Sequence, residues 1–94
     1  MKTINTSFRQ MVAAVPADIR QEVDLEIAIS NRICELMTKR GLSKREFAEA
    51  LGKRPSEITK WLSGQHNFTL RTISLLSAFF GEALICVANG RYKV

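Results

Sequence analysis

Few side chains in this 94-residue chain are equipped for chemistry, and most of those are cations. Fourteen Lys and Arg stand against nine Asp and Glu, a formal net charge of +5. The charge is unevenly placed. Residues 16–36 hold two Arg against five acids, whereas residues 37–71 hold eight Lys and Arg against three acids. A basic stretch of that kind suits nucleic acid, an acidic membrane face or an acidic partner, and composition alone does not choose among them. Groupings for catalysis are poor. The sequence has no glycine-rich phosphate loop and no paired-carboxylate pattern. Cys34 falls on an apolar helical pattern and His66, the one histidine, in a polar loop, so a Cys/His dyad would have to be invented. Cys34 and Cys86 form no C-x-x-C pair and no second histidine joins His66, which argues against zinc. The expectation is no enzyme, no metal and no cofactor.

The cations need elements to position them. Pro16 precedes a helical pattern over about 17–40, in which Ile19, Val23 and Ile27 recur at i, i+4, i+8. Leu25, Ile29, Ile33 and Leu36 make a second, adjacent stripe, and so broad an apolar face predicts contact with more than one neighbour. Lys39 and Arg40 suit its last turn and Gly41 its stop. Ser43-Lys44-Arg45-Glu46 reads as a capping box opening a helix over 44–51, with Phe47, Ala48 and Leu51 inward and Gly52 at its end. Pro55 suits the first position of a helix over 55–63 that buries Ile58, Trp61 and Leu62, and Gly64 ends it. Thr69 caps a last helix to about Phe80, with Leu70, Ile73, Leu76, Phe79 and Phe80 inward. A weaker helical pattern over 4–14 uses Ile4, Phe8, Met11 and Val12. Residues 83–88 are rich in strand formers, and Asn89-Gly90 before Arg91–Val94 signals a turn, so a short strand or hairpin is expected there.

Residues 43–63 thus read helix, glycine turn, helix, the helix-turn-helix plan. Ala48 lies where the two helices must approach closely, and Gly52 where a positive φ is cheap only for glycine. With Ile58 and Trp61 turned to the core, the second helix leaves Ser56, Glu57, Thr59, Lys60 and Ser63 outward. Such short or polar residues can approach base edges without the burial that a core imposes.

The run from Leu42 to Gly81 resembles the Xre/Cro repressor-like helix-turn-helix family. Leu42, Ser43, Ala48, Leu51, Gly52, Ile58, Trp61, Gly64, Asn67, Leu70 and Ile73 match the family pattern in order. The long leading helix, PSEITKWLSG and then HNFTL, look like the HigA-type antitoxins. The resemblance implies an all-α, five-helix repressor-like domain, here with the short C-terminal strand or hairpin. It also implies a transcriptional repressor that binds double-stranded DNA as a homodimer, with residues 55–63 in the major groove. Two recognition helices would then lie roughly 34 Å apart, about one helical turn of DNA.

Ser56, Thr59, Lys60 and Pro55 are the implied base readers. Lys44, Lys53, Arg54, Gln65, His66, Asn67 and Thr69 are the implied phosphate contacts. Two positions depart from the family pattern. Lys44 stands where relatives often carry glutamine, and can contact phosphate as a point charge. Pro55 stands where many place a polar base reader, and can pack on a thymine methyl instead. Glu57 is read as a cap or as an orienter of Lys53 or Arg54, with cytosine N4 as an alternative; Arg45 is read as an i, i+4 partner of Glu49. The antitoxin likeness implies a second partner, a toxin protein that the acids Asp18, Glu22, Asp24 and Glu26 would meet; the alternative is that the same acids only complement the N-terminus of their helix.

With 46% hydrophobic residues, the chain has enough apolar content for one globular domain. It divides into an N-terminal extension and start of the leading helix (1–23), a helix-turn-helix core (24–81) and a tail (82–94) that is the candidate dimerisation element. No apolar run reaches the roughly 18 residues of a membrane span, and the N-terminus lacks the apolar region of a secretory signal. The two cysteines are expected as reduced, packed thiols of a cytoplasmic protein.

Overall fold

A computed structural model describes residues 14–94. Among these it has four helices: α1 (Ala17–Arg40), α2 (Lys44–Leu51), α3 (Pro55–Leu62) and α4 (Leu70–Phe80). The helix expected over 4–14 lies, but for its last residue, outside the described residues. The described part is all-α, with four helices where the reading of the whole chain has five.

The helix ends follow local chemistry. Pro16 stands at the entrance of α1, and its carbonyl accepts from the Arg20 amide at 3.1 Å. Ser43 Oγ accepts from the Glu46 amide at 3.1 Å, and the Glu46 carboxylate accepts from the Ser43 amide at 2.9 Å. That reciprocal pair satisfies two amides that a helix start leaves without partners. Gly52 closes α2 at φ +67°, and Lys53 and Arg54 carry the chain into α3. Thr69 Oγ1 accepts from the Thr72 amide at 3.2 Å and opens α4.

The core collects one face of each helix. Ile33, Leu36, Phe47, Ile58, Leu76 and Phe80 are fully enclosed. Phe47 is the hub: its ring centroid lies 6.1 Å from Trp61, 5.6 Å from Phe79 and 5.3 Å from Phe80. Edge-on and tilted aromatic contacts of this kind add to the gain from burial alone. The Arg40 guanidinium donates to the Phe80 carbonyl and lies 5.7 Å from the Phe80 ring centroid. Lys39 reaches Glu82 at 3.0 Å, and Arg32 Nε reaches the Ala83 carbonyl at 3.2 Å, so the exit of α4 is fastened to α1.

Four expectations need correction. The broad apolar face of α1 is buried only in its second half, at Ile29, Ile33, Leu36 and Met37, while Ile19, Val23, Leu25 and Ile27 are exposed. The reason is length. Twenty-four residues make a rod of about 36 Å, and the eight-residue α2 and α3 are about 12 Å each, too short to cover it. Leu70 is 73% exposed instead of inward, because a side chain in the first turn points back off the helix end. Both cysteines are exposed free thiols and not packed ones. Cys34 stands one step round from Ile33, off the buried face. Finally, no strand forms among the described residues. The tail turns at Gly90 (φ +71°) and makes one antiparallel bridge, Cys86 with Lys93. Val94 exchanges backbone bonds with Ile85, and the Val87 amide reaches the Tyr92 carbonyl at 2.9 Å. Too few residues face each other for a ladder.

Candidate nucleic-acid interface

The outward face of α3 is set by what holds it from behind. Ile58 is wholly buried and Trp61 is 4% exposed. Ala48 on α2 is 1% exposed, which lets the two short helices pack closely. A further clamp comes from α1. Ser30, buried among apolar neighbours, donates its hydroxyl to the Trp61 carbonyl and accepts from the Gly64 amide at 3.1 Å. It satisfies backbone groups at the C-terminal end of α3. The sequence reading missed Ser30. Its signal was a hydroxyl three residues from both Ile27 and Ile33, at the spacing of the apolar face of the helix.

With that side fixed, Pro55, Ser56, Thr59 and Lys60 are all exposed. Thr59 Oγ1 donates to the Pro55 carbonyl at 3.2 Å, which orients the hydroxyl and leaves its lone pairs outward. An open groove of about 450 Å³ runs beside α3, lined by Lys53, Arg54, Ser56, Glu57, Lys60, Trp61, His66 and Thr72. Five expected contact residues meet there: Lys53, Arg54, Ser56, Lys60 and His66. His66 packs edge-on against Phe68, ring centroids 4.8 Å apart, which fixes its imidazole at the rim. Thr72 joins the lining without having been expected. Its one sequence signal is the three-residue step from the cap Thr69.

Other expected contacts lie elsewhere. Lys44 is exposed at the first position of α2, outside the groove lining. Gln65 is exposed beyond the end of α3, where its amide donates to Ser63 Oγ at 3.1 Å. Asn67 borders a different groove, with Phe68 and the first half of α1. Thr69 is exposed, but its oxygen serves the α4 cap. Arg45 pairs with Glu49 at 3.2 Å, as its spacing suggests, on an exposed surface where such a pair contributes little. Ser63 is a turn residue, donating to the Lys60 carbonyl at 2.7 Å.

A family model described as helix-turn-helix matches residues 35–84, from the last quarter of α1 to just past α4. The chain belongs to the helix-turn-helix family. No curated protein and no solved structure matches it. The matched span contains α2, the Gly52 turn and α3, the unit with which such a domain binds DNA and regulates transcription. This helix-turn-helix protein thus carries its cationic groove on the element that the family directs at DNA. None of its described helices is long and apolar enough to cross a membrane.

Proposed function

We propose that the protein is a sequence-specific repressor that binds its operator as a dimer, with α3 in the major groove. One observation carries this reading. α3 is pinned by Ile58, Trp61 and Ser30, while its opposite face is open and bordered by Lys53, Arg54 and Lys60. Ser56, Thr59 and Lys60 read base edges, with Pro55 against a thymine methyl. Lys44, Lys53, Arg54, Gln65, His66, Asn67 and Thr69 meet phosphate oxygens. Phosphate contacts set register and base contacts set sequence, so the two groups have separable signatures.

Binding-site selection from random duplexes, followed by titration of the selected site and a scrambled one, tests the proposal. Affinity for both falls steeply as salt rises, because each phosphate contact releases a counterion. Lys53→Ala weakens selected and scrambled DNA alike. Lys60→Ala weakens the selected site most, by about 1–3 kcal/mol, and relaxes its sequence. Equal effects of both changes on both duplexes would refute this sorting of contacts.

A second reading adds a protein partner: an antitoxin that neutralises a basic toxin and represses its own operon. The likeness to HigA-type antitoxins implies it, and one surface supports it. A second groove, about 640 Å³, has Leu25, Ile29, Phe68, Ile73 and Ile85 along it and Asp18, Glu22 and Glu26 on its α1 side. Apolar lining beside carboxylates suits a basic, partly apolar protein. Co-expression with the product of an adjacent gene for a short basic protein decides this. Rescue of growth, lost on Leu25→Asp, supports the antitoxin; toxicity that the full-length chain does not relieve leaves the plain repressor.

A further inference from the structure

We infer that Glu57 reads cytosine: its carboxylate accepts from the N4 amino group of one cytosine in each half-site. The inference rests on the DNA-binding reading above and deepens it. Glu57 stands in the first turn of α3, half-buried, in the same groove as Lys53, Arg54, Lys60 and His66. A glutamate at that position ordinarily has one of two structural jobs. It closes a capping box on the amide at the helix entrance, or it pairs with a neighbouring cation.

Among the described residues Glu57 does neither. The comparison with α2 is direct, because Glu46 stands at the same spacing from its own helix entrance. There the entrance residue is Ser43 and the box closes. In α3 the entrance residue is Arg54, which makes no side-chain cap. The ion pairs of the described residues involve Glu35, Glu49 and Glu82, and Glu57 is in none of them although three cations line its groove.

A carboxylate on a DNA-facing surface meets a polyanion; Lys53, Arg54 and Lys60 offset part of that repulsion, and a donor on the base edges gives the carboxylate a direct partner. In the major groove those donors are cytosine N4 and adenine N6. Adenine sets its N7 acceptor beside N6, against the second carboxylate oxygen. Cytosine presents the amino group with no acceptor beside it on its own edge, so cytosine is the better match.

The experiment is site selection from random duplexes with the full-length wild type, Glu57→Gln and Glu57→Ala, at one salt concentration, with a thermal midpoint for each protein. The wild type enriches a C·G pair at one position of each half-site, and replacing that pair weakens binding roughly tenfold. Glu57→Ala erases the preference at that position alone. Glu57→Gln moves it to adenine, because an amide offers both a donor and an acceptor to N7 and N6. Identical selected sites for all three proteins, with only a lower midpoint or a uniform rise in affinity, would assign Glu57 to the field of the α3 N-terminus and overturn the inference. A wild type that enriches no sequence fails the DNA reading itself, and this one with it. The two failures therefore differ in what the wild type alone selects.

Discussion

The hydroxyl of Ser30 serves two backbone groups that no other described side chain reaches, the Trp61 carbonyl and the Gly64 amide. Ser30→Ala removes only one oxygen but leaves both groups without that partner in a buried place. An orphaned buried donor or acceptor costs about 1–3 kcal/mol, far more than the net worth of a surface hydrogen bond. Urea denaturation will show a lower midpoint for Ser30→Ala, and DNA affinity will fall beyond the loss of folded protein, because the end of α3 is freed. An unchanged midpoint would show that water replaces the hydroxyl. At this scale the sequence was legible where spacing fixes a side chain's side. Ile58 and Trp61, three apart, share the buried face, and Arg45 and Glu49, four apart, meet. It was illegible where a polar residue works on a distant backbone, since nothing local to Ser30 announces an acceptor 31 residues away.

Helix entrances and exits were the most legible elements, because their chemistry is contained in four or five consecutive residues. The Ser43–Glu46 box makes a pH prediction. Acceptance from the Ser43 amide, and then from its hydroxyl, holds the Glu46 carboxyl below its ordinary value. A carboxyl with a lower pKa folded than unfolded contributes stability that is fully present above its ordinary range near 4.5, and lost as pH falls through the folded value. Glu82 is lowered in the same direction, chiefly by Lys39. Thermal midpoints taken downward from pH 6 will fall below the ordinary glutamate range, and Glu46→Gln will flatten part of that fall. A parallel acid limb in the variant would remove the box from the account. The tail was less legible. Strand-forming residues and Asn89-Gly90 specified a reversal, and the Arg91 amide does reach the Asn89 side chain at 2.8 Å. Propensity does not say how many residues will face each other, and a ladder needs more than one bridge.

At the scale of the whole molecule, the described surface has an acidic first half of α1, a basic groove beside α3 and an apolar stripe along that same free half of α1. The sequence revealed that stripe as a periodicity but not as exposed, since what covers a helix depends on the lengths of its neighbours. Dimerisation is a concentration question. Val87 and Tyr92 are 49% and 66% exposed on the tail, which also packs Leu84, Ile85 and Val94 against the core. If the tail joins two copies, sedimentation of a chain ending at Gly81 will give one-chain mass where the full chain gives two, and DNA affinity will drop with it. A shortened chain that dimerises equally well would move the interface to α1. One last consequence follows from what holds α3: Ile58 and Trp61 on its buried side, and Ser30 of α1 through the Trp61 carbonyl and the Gly64 amide. The outward side chains of α3 are thereby separate from its mount. Ser56 and Lys60 can be rewritten without touching that fixture, so, if α3 enters the groove as proposed, a lineage of such proteins acquires new addresses on the genome while keeping one chassis.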